Sequence, residues 1–155
     1  MRKKPWAIIF FKPSLERGCP LPRKTDSNNP SDWLWMAESD MGMVRFAAAQ
    51  EVSFQGCRSK LAEIAEKALK AELIRLGWQL EKTHDLNRLV DELTNRNSDL
   101  VATATPIAKA LAEVYFTDRY PGFDLDDPDW PGLRAKIDEV ANLLGIVKAR
   151  VVTKS

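Results

Sequence analysis

The chain has 155 residues, of which 45% are hydrophobic and 29% charged, enough for one domain with a buried core. Its formal net charge of +1 and its two cysteines exclude a molecule-wide polyanion binder and a disulfide framework. No stretch approaches the roughly 20 apolar residues of a membrane span, so a cytoplasmic protein with reduced thiols at Cys19 and Cys57 and no membrane contact is expected.

The near-neutral total conceals an asymmetry. Residues 1–30 carry seven basic and two acidic side chains, a net of +5; the other 125 residues hold 16 basic and 20 acidic ones, a net of −4. The apolar run Trp6–Phe11 spans six residues and stops at Lys12-Pro13, too short for a signal sequence. "KPSLERGCPLPRKTDSNNP" has no apolar period. Residues 1–30 therefore read as a flexible basic extension, and residues 31–150 as a single helical domain.

Helical text begins at "NPSDWLWMAESDMGMVRFAAAQ". Asn29 suits an N-cap, Pro30 the first helical position, and Asp32 the first turn. Leu34, Ala37, Met41, Val44 and Ala48 recur at helical spacing and predict one buried face. A second helix over about 53–76 carries Phe54, Cys57, Leu61, Ile64 and Ala68, widened by Ala65, Leu69, Leu73 and Leu76, with Gly77 as its stop. A short third helix starts near Thr83, with Thr83 as N-cap and Asp85 in its first turn; Leu86, Leu89, Val90 and Leu93 are apolar. The fourth runs from about Leu100 to Thr117, aligning Val101, Ala104, Ile107, Ala108, Leu111 and Tyr115. Pro106 inside it implies a kink or a later start. After the turn-rich "DRYPGFDLDDPDWPG", a last helix over 131–149 aligns Leu133, Ile137, Val140, Leu144 and Val147. Five amphipathic helices without a convincing strand predict an all-α, up-and-down bundle. Trp33, Trp35 and Trp130 are too many large rings for one small core, so one of them is expected at an interface.

The single histidine, His84, frames the functional question. "EKTH" spaces Glu81 and His84 as a metal-binding pair would, but dimetal bundles need two such units and this one straddles a helix start, so no metal is expected. No nucleophile elbow, Walker loop or dinucleotide fingerprint is present. Two readings of His84 remain: a group that holds a helix corner, or part of a ligand site.

"DWLWMAESD", "CRSKLAEIAEKALKAEL", "KTHDLNRL" and "FTDRYPG" follow one another in the order seen in HEPN domains (higher eukaryotes and prokaryotes nucleotide-binding), which the chain resembles over roughly residues 31–149. The resemblance implies a bundle of four or five helices, commonly a homodimer. It also implies a nucleotide or RNA ligand, and often a nucleotidyltransferase partner in bacterial two-component, toxin–antitoxin-like modules. One branch of the family consists of metal-independent ribonucleases whose motif is an Arg and a His with four to six residues between them, usually placed across a dimer interface. Here the corresponding positions are Gly77, Trp78 and Gln79, and the nearest preceding arginine is Arg75. The expectation is a non-catalytic module. The alternatives are a ribonuclease-type toxin with an atypical site around His84, and a protein scaffold without a small ligand. The candidate ligand-binding residues are Lys67, Lys70, His84, Asp85, Arg119 and Tyr120. The lysines share a helix side, Arg119 suits phosphate, and Tyr120 could stack a base. No cofactor is expected.

Overall fold

The computed structural model describes residues 27–117 and 127–152. Among these residues there are six helices and no strand: α1 Pro30–Ala49, α2 Phe54–Arg75, α3 Leu86–Asn95, α4 Val101–Leu111, the single turn α5 Val114–Thr117, and α6 Trp130–Val152. The all-helical bundle predicted from periodicity is the fold observed.

The stripe of α1 is buried residue for residue: Leu34, Ala37, Met41, Val44 and Ala48. Asn29 caps the helix, its Oδ1 accepting from the Ser31 amide at 3.0 Å, and Pro30 needs no hydrogen bond in the first turn. The turn into α2 is short and tight, with Glu51 and Ser53 at φ of 54° and 56°.

Helix α2 is the axis of the molecule and packs against all five others. From Leu61 to Leu73 only Glu63 and Lys67 escape full burial. Alanines at 62, 65, 68 and 71 let its neighbours approach closely on several sides. Gly77 ends the helix, at φ 89°. The Trp78 amide donates to the Leu73 carbonyl at 2.9 Å and the Gly77 amide to that of Ile74 at 3.0 Å. Buried Trp78 closes the end apolarly, which completes a Schellman stop. Leu76, expected to widen the stripe, is exposed instead, because the chain is already turning away there.

Helix α3 corrects one expectation. Its cap is Asp85, whose Oδ1 accepts from the Asn87 amide at 2.9 Å and that of Arg88 at 3.3 Å. Thr83 Oγ1 accepts from the Asp85 amide at 3.1 Å. The helix thus begins two residues later than a Thr83 cap would place it, because the Asp85 carboxylate takes the first free amides of the helix, those of Asn87 and Arg88.

Helix α4 begins at Val101, runs through Pro106 and ends at Leu111, so the single span to Thr117 is interrupted. Pro106 and Ala102, whose carbonyl loses its partner, both face solvent. Water can replace the missing bond, which makes the proline tolerable there. The Tyr115 side chain lies outside the described residues.

Helix α6 buries the predicted Leu133, Ile137, Val140, Leu144 and Val147 and also Leu143, and packs on α1, α2 and α4. At its start the Gly132 amide donates to Asp129 at 2.9 Å. A Cβ at residue 132 would come within 2.2 Å of that carboxylate, so glycine keeps the cap. Trp130 meets Phe54 edge-on at 5.3 Å. No described helix is long and apolar enough to cross a membrane.

Candidate functional site

Two charged side chains inside α2 organise the site. Glu66 and Lys70 lie one turn apart on a helix that is apolar on nearly every side, so both are carried into the interior, with 9% and 5% of their side chains exposed. The Lys70 ammonium donates to Glu66 Oε1 at 2.7 Å and stands 5.2 Å from the centre of the Trp33 ring. The negative ring face compensates part of the water that the ammonium has lost. Trp33 is itself fixed, its Nε1 donating to the Ser27 carbonyl at 2.8 Å.

The other oxygen of Glu66 reaches out of the core. Its Oε2 lies 3.1 Å from His84 Nδ1, across the connection between α2 and α3. A carboxylate at Nδ1 orients an imidazole and favours a proton on that nitrogen. The His84 side chain remains 54% exposed. The chemical result is a ring of fixed orientation at the surface, backed by a buried carboxylate and a buried ammonium.

The other predicted residues divide plainly. Lys67 faces the same side of α2 as Lys70 but is ion-paired with Asp40 of α1. Lys70 is buried rather than presented to solvent. Asp85 caps α3 with its Oδ1, beside His84 in sequence. Arg119 and Tyr120 lie outside the described residues. Glu66, Asp40 and Trp33 were missed by sequence reasoning. The available signal was "EKALK", an i,i+4 carboxylate–ammonium pair set in a run of buried alanines and leucines.

Arg75 has a different commitment from His84. Its Nε and Nη2 donate to the two oxygens of fully buried Glu72, at 2.8 and 2.7 Å. Glu72 also accepts from Arg150 Nη1 at 2.8 Å. Arg150 in turn grips Asp99 with two bonds, at 2.9 and 2.6 Å. That grip holds the Asp99 carboxyl below the usual carboxylate range. The network ties α2 to α6 and to the start of α4. Burial pushes the Cys57 thiol up, away from reactivity. Among the described residues no group of three His, Cys, Asp or Glu is arranged to hold a metal ion.

No curated protein and no solved structure matches the chain. The family model of the HEPN domain does match, over residues 30–149, from the first residue of α1 almost to the end of α6. Four sequence blocks in order, a helical bundle, and a family match over most of the length agree: this chain belongs to the HEPN domain family.

Proposed function

We propose that this HEPN chain is a binding module and not a nuclease. It pairs with a second copy, takes a nucleotide or an RNA phosphate beside His84, and serves a nucleotidyltransferase partner in a two-component, toxin–antitoxin-like module. The observation that carries this reading is the separation of the two groups a ribonuclease would use together. His84 is held by Glu66, whereas Arg75 is doubly bonded to Glu72. A guanidinium stabilises a phosphoryl transition state only when it points at the same phosphate as the acid–base histidine. Within one chain these two are committed to different carboxylates.

His84 suits binding for a complementary reason. Its ring is exposed and is held in one orientation by the Glu66 carboxylate. Lys67 and Asp85 belong to the proposed ligand site and Lys70 holds Glu66 beneath it; Arg119 and Tyr120, outside the described residues, are carried as candidates from the sequence alone. Because Lys67 and Lys70 already neutralise Asp40 and Glu66, attraction for phosphate is moderate, and binding should weaken with salt.

The test is a set of thermal melts with ATP, GTP and a short single-stranded RNA, for wild type, His84→Ala and Arg119→Ala. A ligand-dependent rise in Tm that either substitution abolishes supports the site, since a ligand at 100 Kd adds about 2.7 kcal/mol. Absence of any rise would overturn nucleotide binding. RNA cleavage lost in His84→Ala would overturn the non-catalytic assignment.

A further inference from the structure

The outward face of α1 has no cover within the described residues. The helix is held on one side by α2, through Trp33 to Lys70 and Asp40 to Lys67. It is held on the other by α6, through Glu38 to Lys148 at 2.5 Å and Arg45 to Asp138 at 3.9 Å. Opposite its buried stripe stand Trp35, 69% exposed, Met36, 45%, Met43, 54%, and Phe46, 73%. Trp35, Ser39, Gly42 and Phe46 follow at spacings of four, three and four, one line along a helix. With roughly 200 Å² for each large side chain, the four exposed hydrophobic residues present on the order of 500 Å².

We infer that a second copy of this chain docks on that face, antiparallel, with Trp35 of each protomer against the partner's Phe46. This assignment rests on the pairing proposed above and names its surface. The face is self-complementary. Turning the helix end for end about a point between residues 40 and 41 exchanges Trp35 with Phe46 and Ser39 with Gly42. A two-fold interface requires such self-complementarity. Large residues stand at both ends and small ones at the crossing, where the two backbones must come closest.

Gly42 sits at the centre of this face. A Cβ there would meet nothing within 4 Å, so the protomer's own packing gives no reason for glycine in mid-helix. Close approach of another helix does. Gly145 of α6 lies between Asp138 and Lys148, which pair with α1, and is equally open.

The stripe carries no charge, and the acids and bases flanking it on the α6 side are already paired, which suits a protein surface and not a phosphate backbone. The area also fits. A stable pair buries about 800 Å² per partner, of which the four large side chains supply more than half.

The test uses the full chain in light scattering after gel filtration: wild type, Trp35→Lys, Phe46→Glu, and an equal mixture of the two variants. Wild type should run at twice 17.5 kDa. Each variant should run as the monomer with unchanged helical circular dichroism, its association weakened at least roughly 30-fold, as for loss of an interface hot spot. The mixture should recover the dimer, because the introduced lysine then faces the introduced glutamate while the other Trp–Phe contact survives. A wild-type monomer at high micromolar concentration removes the pairing itself. A dimer that survives both single substitutions keeps the pairing and overturns this surface. Monomeric variants that fail to recover on mixing overturn the antiparallel register.

Discussion

Glu66→Gln and His84→Ala, measured side by side, separate what holds the site together from what the site offers a ligand. In wild type each Glu66 oxygen serves one partner: Lys70 at 2.7 Å inside and His84 at 3.1 Å outside. Neutralising Glu66 leaves a 5%-exposed ammonium with only the Trp33 ring face for compensation. Breaking a buried pair by removing one partner costs about 3–5 kcal/mol. Glutamine still accepts one hydrogen bond and the ring still attracts the cation, so a loss near the lower end, about 3 kcal/mol, is expected. That corresponds to a fall in Tm on the order of 10 °C. His84→Ala removes one hydrogen bond from a ring already more than half in water, a loss of about 1 kcal/mol or less. Urea unfolding followed by far-UV circular dichroism reads both numbers. The double variant Glu66→Gln/Lys70→Met should regain most of the stability, because it strands no charge. Equal losses for Glu66→Gln and His84→Ala would refute this division and make His84 a strut of the core. A Glu66→Gln loss under about 1 kcal/mol would show that Lys70 finds water without cost.

Two further outcomes follow from the second buried carboxylate and its network. Glu72→Gln should cost about 3 kcal/mol in urea unfolding, since fully buried Glu72 joins Arg75 and Arg150 through three charge-assisted bonds; a loss under about 1 kcal/mol would mean that the arginines do not depend on it. Asp99 has its carboxyl held low by Arg150, so its contribution is present at neutral pH and is lost as pH falls from the ordinary carboxylate range through the depressed value; Asp99→Asn should lower Tm at pH about 7, and the difference from wild type should shrink as pH falls below the ordinary carboxylate range, whereas a difference that stays constant would contradict the linkage.

Much of the fold was legible in the chain because helical periodicity is a local property. The buried stripes of α1 and α6 follow from spacing alone, and Asn29, Pro30 and Gly77 mark helix ends through backbone needs that each residue meets by itself. The start of α3 was misread because Thr83 and Asp85 both suit a cap: Thr83 accepts from the Asp85 amide, but Asp85 takes the amides of Asn87 and Arg88, from which the helix runs. The break in α4 was only half legible: Pro106 announces an irregularity, but its tolerance depends on which side of the helix meets water.

The site was less legible for the same physical reason. Sequence alone singled out His84 and the lysines, and the HEPN resemblance gave them a context that the family match over residues 30–149 supports. It could not say that Lys67 answers Asp40, 27 residues away, or that Glu66 reaches His84 across 18 residues. Nor could it distinguish Trp35 from Trp33, two positions apart, one turned to solvent and the other laid against a buried ammonium. Local pattern determines which residues form helices and which face of each is apolar. Which charges meet, which tryptophan remains uncovered, and whether arginine and histidine share a target depend on how α1, α2 and α6 pack, and that is decided only when distant segments compete for the same interior.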